Sequence, residues 1–264
     1  MQPGRRTVAE ALTQALATVL RIPPEDVALV VAGRTDAGVH ATGQVCHLDA
    51  PGDAWWGLPG RSDTPPGEAL VRRLRGVLPP DVRVTRATVA APGFDARFSA
   101  LRRRYAYRLC DDPAGVPPLR RHDVAAWGRA VDVRAMDVAS GALTGLHDFA
   151  AFCRRREGAT TVRTLLEYSW ARDVDGFAVA RVVADAFCHS MVRALVGGAV
   201  AVGEGRRPPE WLATVLAGGV RDPAVVVAPA HGLVLEEVVY PPDAELAARA
   251  ETARAVRTLP PFLR

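Results

Sequence analysis

The chain contains no lysine, so every one of its 33 Lys+Arg positions is an arginine. An absence this complete points to GC-rich coding and says little about any one site, although guanidinium and ammonium groups differ physically. Cysteine is scarce. Cys46, Cys110, Cys153 and Cys188 lie far apart with no C-x-x-C pair, so neither a zinc knuckle nor a disulfide framework is signalled, and buried reduced thiols are expected. The six histidines, His40, His47, His122, His147, His189 and His231, never form H-x-x-x-H, and each is expected to be structural and not a metal ligand. No apolar run approaches the ~20 residues a membrane span needs, and no charged-then-apolar leader opens the chain. These absences predict a cytoplasmic protein with no membrane partner.

What is present fits a folded domain. At 264 residues, 49% of them hydrophobic, the chain can bury one large core or two modest ones without a metal or disulfide staple. The charge balance of 33 Lys+Arg against 29 Asp+Glu gives +4 and a pI near 9.2. The arginines cluster at Arg102 to Arg104, Arg120 with Arg121, Arg154 to Arg156, and Arg206 with Arg207. Several such clusters on one face would be the footprint of a nucleic-acid binder, whereas any single cluster is more often solvated surface charge.

Thr7-Val-Ala-Glu10 has the form of a capping box, and Val8, Leu12, Leu16 and Leu20 follow at four-residue spacing, which predicts a helix stopped by Pro23-Pro24. Residues 27–31 and 44–48 read as strands that hold the polar loop 33–38 between their ends. Residues 53–66 read as a surface excursion and 68–77 as a helix. Strands are predicted at 82–89 and 104–109, and a linker at 111–118. Beyond it come a helix at 134–143, strands at 161–171 and 177–183, helices at 188–202 and 209–216, and a strand at 233–240. Runs of neighbouring strands argue for an α+β fold with largely antiparallel sheets, in two halves at 1–112 and 119–264, with a site in the cleft between them.

Val31-Ala-Gly-Arg-Thr-Asp-Ala-Gly-Val-His40 sets a carboxylate between two glycines, beside an arginine, directly after a strand. Gly33 and Gly38 would allow a tight turn and close approach of a bulky ligand. Arg34 could hold either a phosphate or the Asp36 carboxylate, and a carboxylate beside a guanidinium stays ionised, as nucleophilic use requires. On residue types alone, an Asp in such a loop more often serves an Asx-turn.

The longer string Gly33-Arg-Thr-Asp-Ala-Gly-Val-His-Ala41, followed by Gly43-Gln44-Val45, closely resembles the signature loop of the tRNA pseudouridine synthase A family, in which the Asp is catalytic. Further blocks resemble it in the same order. They are Phe94-Asp-Ala-Arg-Phe-Ser-Ala100 leading to Arg103-Arg-Tyr-Ala-Tyr107, Gly145-Leu-His-Asp-Phe149 with Phe152, Phe187 with Met191-Val-Arg-Ala-Leu-Val-Gly197, and Ala228-Pro-Ala-His-Gly-Leu-Val-Leu235 with Tyr240.

The resemblance implies two ferredoxin-like or RNA-recognition-like halves, a homodimer that grips tRNA, and cofactor-free isomerisation of uridines at positions 38 to 40 of the anticodon arm. It assigns catalysis to Asp36, stacking on the uracil face to Tyr105, and pairing with the catalytic carboxylate to Arg193. Arg34 is assigned to RNA backbone or base extrusion, and His40 to shaping the loop. Leu233 is expected either under the pocket or simply in the core. The rival readings are a catalytically impaired RNA-binding relative and a metal-dependent hydrolase built on Asp36, His40 and His47, the latter lacking third-ligand spacing.

Two departures stand out. Family members begin with a strand carrying Tyr-Asp-Gly and Gly-Trp-x-x-Gln elements, whereas here only Gln2-Pro-Gly-Arg precedes Arg6-Thr7. An upstream in-frame extension encoding that strand is expected, and a stop codon just before Met1 would contradict it. Ala184-Asp185-Ala186-Phe187-Cys188 also stands where the family generally has Gly-Asn and then Phe-Leu.

Overall fold

The computed structural model describes residues 6–154, 158, 160–255 and 258–259; Gln2-Pro-Gly-Arg and two members of one arginine cluster, Arg155 and Arg156, lie outside them. The first helix, α1 (Val8–Leu20), starts as its capping box predicts, with the Thr7 side chain accepting from the Glu10 backbone N–H at 3.1 Å. Leu12, Leu16 and Leu20 are buried. They pack against α3 (Pro66–Val77), which contributes Ala69, Leu70 and Leu74 to the same core.

The excursion between them is not merely surface. Residues Gly52–Trp56 form a short helix, α2, whose Ala54 and Trp55 pack on that core while Leu58 is fully buried beneath it. The strands around the polar loop are shorter than predicted. Only Val30–Val31 (β1) and Cys46–His47 (β3) pair, antiparallel, with Val30 opposite His47. Residues 82–89, predicted as a strand, form none. Alternating apolar residues suit a strand, but a strand exists only where a ladder partner is present, and among the described residues nothing pairs with this segment.

The remaining strands make one mixed sheet in the order β2 (His40–Ala41), β9 (Leu233–Val239), β4 (Arg102–Cys110), β8 (Ala178–Ala184), β7 (Val162–Arg172), β6 (Gly145–Asp148), with β5 (Ala125–Ala126) beside β4. The long pairings are antiparallel and, among the described residues, only β2·β9 and β4·β5 are parallel, so the α+β class with largely antiparallel strands is what the chain adopts. β4, which follows the N-terminal core in sequence, is therefore central, and Tyr105 on it faces Val182 on one side and Leu235 on the other.

Three helices complete this main core: α4 (Val133–Gly141), α5 (Met191–Gly203) and α6 (Trp211–Gly218). A last helix, α7 (Leu246–Arg254), buries Leu246 and Ala250. Asp132 caps α4 by accepting from the Ala135 N–H at 3.0 Å. α5 is apolar on every face, as a helix buried all round must be, and every residue of it is buried except Arg193. Among the described residues no helix is long and apolar enough to cross a membrane.

Cys153 and Cys188 are disulfide-bonded with Cα atoms 5.8 Å apart, which corrects the expectation of reduced thiols there, while Cys46 and Cys110 are free. The pair is 35 residues apart in sequence and meets only because the turn at Ala150–Phe152 packs on α5.

Candidate active site

The loop bearing Asp36 is tied down at both ends. Entering it, the Ala32 N–H donates to the Val45 carbonyl at 2.8 Å, and the Gln44 side-chain amide donates to the Gly33 carbonyl at 2.8 Å. Leaving it, the Thr42 and Gly43 N–H groups both donate to the Leu235 carbonyl, at 2.9 and 3.1 Å. Within it, the Val39 N–H donates to the Asp36 carbonyl at 3.1 Å. Gly38 takes φ +83°, a left-handed backbone that makes glycine the natural residue there. Gly33 differs from expectation, since its φ is not left-handed and a Cβ would meet nothing within 4 Å.

Beneath the loop runs Arg103. Its guanidinium donates to three carbonyls from three segments, Ala32 at 3.0 Å, Arg97 at 2.7 Å and Asp185 at 2.7 Å. Burial lowers its pKa from the usual arginine value. It binds the loop, the 94–100 segment and the end of β8 into one unit, which is structural work and not phosphate binding. Neighbouring Arg104 pairs with Glu236 and Glu237, at 3.2 and 3.3 Å, so this arginine cluster is mostly satisfied inside the fold. Arg120 pairs with Asp123 and Asp175, Arg206 pairs with Glu204, and Arg207 lies over the Trp211 ring at 5.2 Å.

Asp36 meets α5. Its Oδ2 accepts from the Arg193 Nη1 at 3.0 Å and from the Ser190 hydroxyl at 3.0 Å, bridging 157 and 154 residues of sequence. Its Oδ1 lies 3.3 Å from the His189 Nε2. Arg193 is held in turn by its Nε, which donates to the Ala228 carbonyl at 2.7 Å. Negative charge at this point is stabilised by the guanidinium and by the N-terminal end of a 13-residue helix. The Asp36 and Arg193 side chains are 22% and 20% exposed, so they are open to a ligand but partly withdrawn from water. The partner of Asp36 is thus Arg193. Arg34, the other candidate, is exposed and makes no hydrogen bond or ion pair among the described residues.

Tyr105 is 8% exposed and meets the Phe187 ring edge-on at 5.1 Å. Burial pushes its phenol up to about 12, the Arg103 cation opposes this, and the Asp36 carboxylate adds to it. At neutral pH it is therefore a proton donor and not a base. Burial also raises Tyr107, Tyr168 and Tyr240, which with Tyr105 are the four tyrosines of the chain.

A phenol whose folded pKa exceeds its unfolded value keeps its proton where the unfolded chain would ionise. Its contribution is therefore complete below pH about 10 and is lost as pH rises through the folded values. We expect no tyrosinate absorbance in the native protein below pH about 11, then a single rise coincident with loss of tertiary circular dichroism. Ionisation of any tyrosine near pH 10 with the fold intact would contradict the burial.

The other expected residues are scattered around this centre. His40 is exposed on β2, its Nε2 2.6 Å from the His122 carbonyl. Leu233 is 5% exposed and opposite Tyr107, on the sheet face that also carries Tyr105, so it belongs to the main core. His47 is engaged elsewhere, its Nδ1 accepting from the Ala96 N–H at 3.0 Å. Asp36, His40 and His47 therefore do not converge, and among the described residues no group of three or more His, Cys, Asp or Glu could hold a metal ion.

Sequence reasoning missed Ser190 and His189 at the carboxylate, and Arg103 beneath the loop. For Arg103 a signal existed, a basic residue opening an otherwise buried strand.

A family profile described as tRNA pseudouridine synthase matches residues 139–241. A tRNA pseudouridine synthase A of Frankia casuarinae is 61% identical over 260 residues, covering 98% of this chain and 90% of the relative. Proteins of the same description from Streptomyces griseus and Mycobacterium leprae are 56% and 50% identical, each over 98% of this chain and over 88% and 90% of their own lengths.

Proposed function

Because the chain belongs to the tRNA pseudouridine synthase A family, we propose that it isomerises uridine to pseudouridine in tRNA, at positions 38 to 40 of the anticodon arm, with Asp36 as its catalytic carboxylate. The observation that carries the reading is the ion pair of Asp36 with Arg193, 3.0 Å long and made by two motifs 157 residues apart.

The reaction breaks the bond from ribose C1′ to uracil N1, forms one from C1′ to C5, moves a proton off C5 and returns one to N1. No electron is gained or lost overall. The chain must detach the base, keep it, turn it and manage two protons. A stacked uridine must first leave the helix, at a cost of a few kcal/mol recovered by new contacts. Asp36 then attacks C6 of the base or C1′ of the ribose, or takes the C2′ proton, each of which needs an ionised carboxylate.

Tyr105, with its high pKa, offers a ring face and a held proton beside that carboxylate. Arg34, exposed on the same loop, is available to a phosphate, and His40 anchors the loop's far end to the His122 carbonyl. Leu233, opposite Tyr107, lies on the sheet face that carries Tyr105. A homodimer acting in the cytoplasm completes the reading.

The test is to incubate the purified protein with unmodified tRNA transcripts in excess chelator and map pseudouridine nucleotide by nucleotide. Product at positions 38, 39 or 40, undiminished by chelator, is expected. Product confined to other positions would refute the site assignment, and chelator sensitivity would favour metal-dependent chemistry.

A further inference from the structure

Ser190 occupies the N-cap of α5, where serine ordinarily accepts from the helix's own exposed N–H groups with the backbone extended. Here it does neither. Its backbone is left-handed, φ 62° and ψ 12°, and its side chain makes no capping hydrogen bond. Apart from the C-cap Arg21, it is the only non-glycine residue with positive φ among the described residues. L side chains resist that region, so a residue held there signals that the surroundings impose it.

The surroundings are in place on both sides. Cys188 is bonded to Cys153, the Met191 N–H donates to the Cys188 carbonyl at 3.1 Å, and the Ser190 carbonyl accepts from the Ala194 N–H at 3.0 Å. What the unusual backbone achieves is direction. The hydroxyl leaves the helix and donates to Asp36 Oδ2, the oxygen that already accepts from Arg193.

We propose that Ser190 is a positioning residue for the catalytic carboxylate: with Arg193 it occupies Oδ2, fixing the carboxylate plane and leaving Oδ1 as the oxygen that meets the uridine. Among the described residues the one ion-pair partner of Oδ1 is His189, at 3.3 Å and 46% exposed. Two donors converging on one oxygen restrict rotation about the Asp36 Cβ–Cγ bond more tightly than one does. The assignment rests on Asp36 being the catalytic group.

Glycine separates the two roles Ser190 could have. Ser190→Gly keeps the left-handed backbone without strain and loses only the hydroxyl. We expect its melting temperature to stay within about 3 °C of wild type, relief of the left-handed strain offsetting the lost hydrogen bond, while its single-turnover rate on tRNA falls about 10-fold with KM within twofold. Ser190→Asn tolerates the same backbone and restores an N–H donor, and it should recover activity to within about threefold of wild type.

A glycine variant with wild-type turnover would overturn the proposal, and so would one whose lost activity is accompanied by a melting temperature lowered by more than about 6 °C, since that marks a merely structural residue. If the wild-type protein makes no pseudouridine, the function reading itself fails and this assignment falls with it. A fully active wild type beside a fully active glycine variant removes only the role of Ser190.

Discussion

Asparagine in place of Asp36 will lower the single-turnover rate of uridine isomerisation on the order of 10⁴-fold or more, while tRNA affinity stays within about threefold of wild type. The substitution is nearly isosteric, and the amide has one good way to sit. Its oxygen takes the place of Oδ2, accepting from the Ser190 hydroxyl and the Arg193 Nη1. That places the amide nitrogen where Oδ1 was, towards His189, with no lone pair for attack on carbon or for taking a proton. The reverse orientation would set an N–H group against the Arg193 guanidinium. Binding survives because affinity for a folded RNA comes mainly from phosphate contacts across a wide surface, and loss of one negative charge does not oppose a polyanion. Rapid-quench assays with pseudouridine mapping, beside equilibrium binding of the same transcript, give both numbers. An Asp36→Asn protein that turns over at a rate comparable to wild type would remove this carboxylate from the chemistry.

How much of this centre could be read from the chain depends on the range of each contact. The loop Gly33 to Ala41 carries its own signature, so Asp36 was legible, and Arg193 and Tyr105 followed from blocks of resemblance. The partner of Asp36 was legible only through that resemblance. Local reasoning left Arg34, two residues away, open between a phosphate and the carboxylate, and the structure pairs Asp36 with Arg193, 157 residues away, and leaves Arg34 exposed. Ser190 and His189 were not legible at all. A serine before an apolar helix reads as an ordinary cap, and nothing in its neighbours announces a left-handed backbone. Similarly, the bond between Cys153 and Cys188 follows from packing and not from spacing.

The fold shows the same division. Helices α1 and α3 were legible because periodicity and caps are local, and β4, β7, β8 and β9 because each is long and strongly patterned. Segment 82–89 has an equally good pattern but no partner among the described residues, and β6, only four residues long, was hidden inside a block read for its motif. A strand is a property of a pair, so a chain read alone overstates some and misses others.

Alanine in place of Gly197 will destabilise the protein by about 3 kcal/mol or more, lowering its melting temperature by roughly 6–10 °C. On helix propensity alone the change should help by about 1 kcal/mol, since Gly197 lies inside α5. Packing decides otherwise. A Cβ there would stand 1.7 Å from the Val226 carbonyl oxygen and 2.8 Å from its carbon, and backbone cannot rotate away as a side chain can. The neighbouring position gives the comparison: at Gly198 the new Cβ meets the end of the Leu212 side chain at 2.7 Å, so Gly198→Ala should cost about 1 kcal/mol. The effect of Gly197→Ala reaches the candidate active site, because the segment of chain pushed aside is the one that holds Arg193. The Ala228 N–H donates to the Arg193 carbonyl at 3.0 Å, and the Ala228 carbonyl accepts from the Arg193 Nε at 2.7 Å. A displacement near 1 Å there moves the guanidinium off Asp36, and misplacement of that size costs up to ~10²-fold in rate. Thermal melts and single-turnover assays well below the melting point measure the two effects separately. If Gly197→Ala melts within about 2 °C of wild type, α5 does not depend on this close approach, and if its rate is unchanged as well, the anchoring of Arg193 through residue 228 is not what fixes the carboxylate's partner.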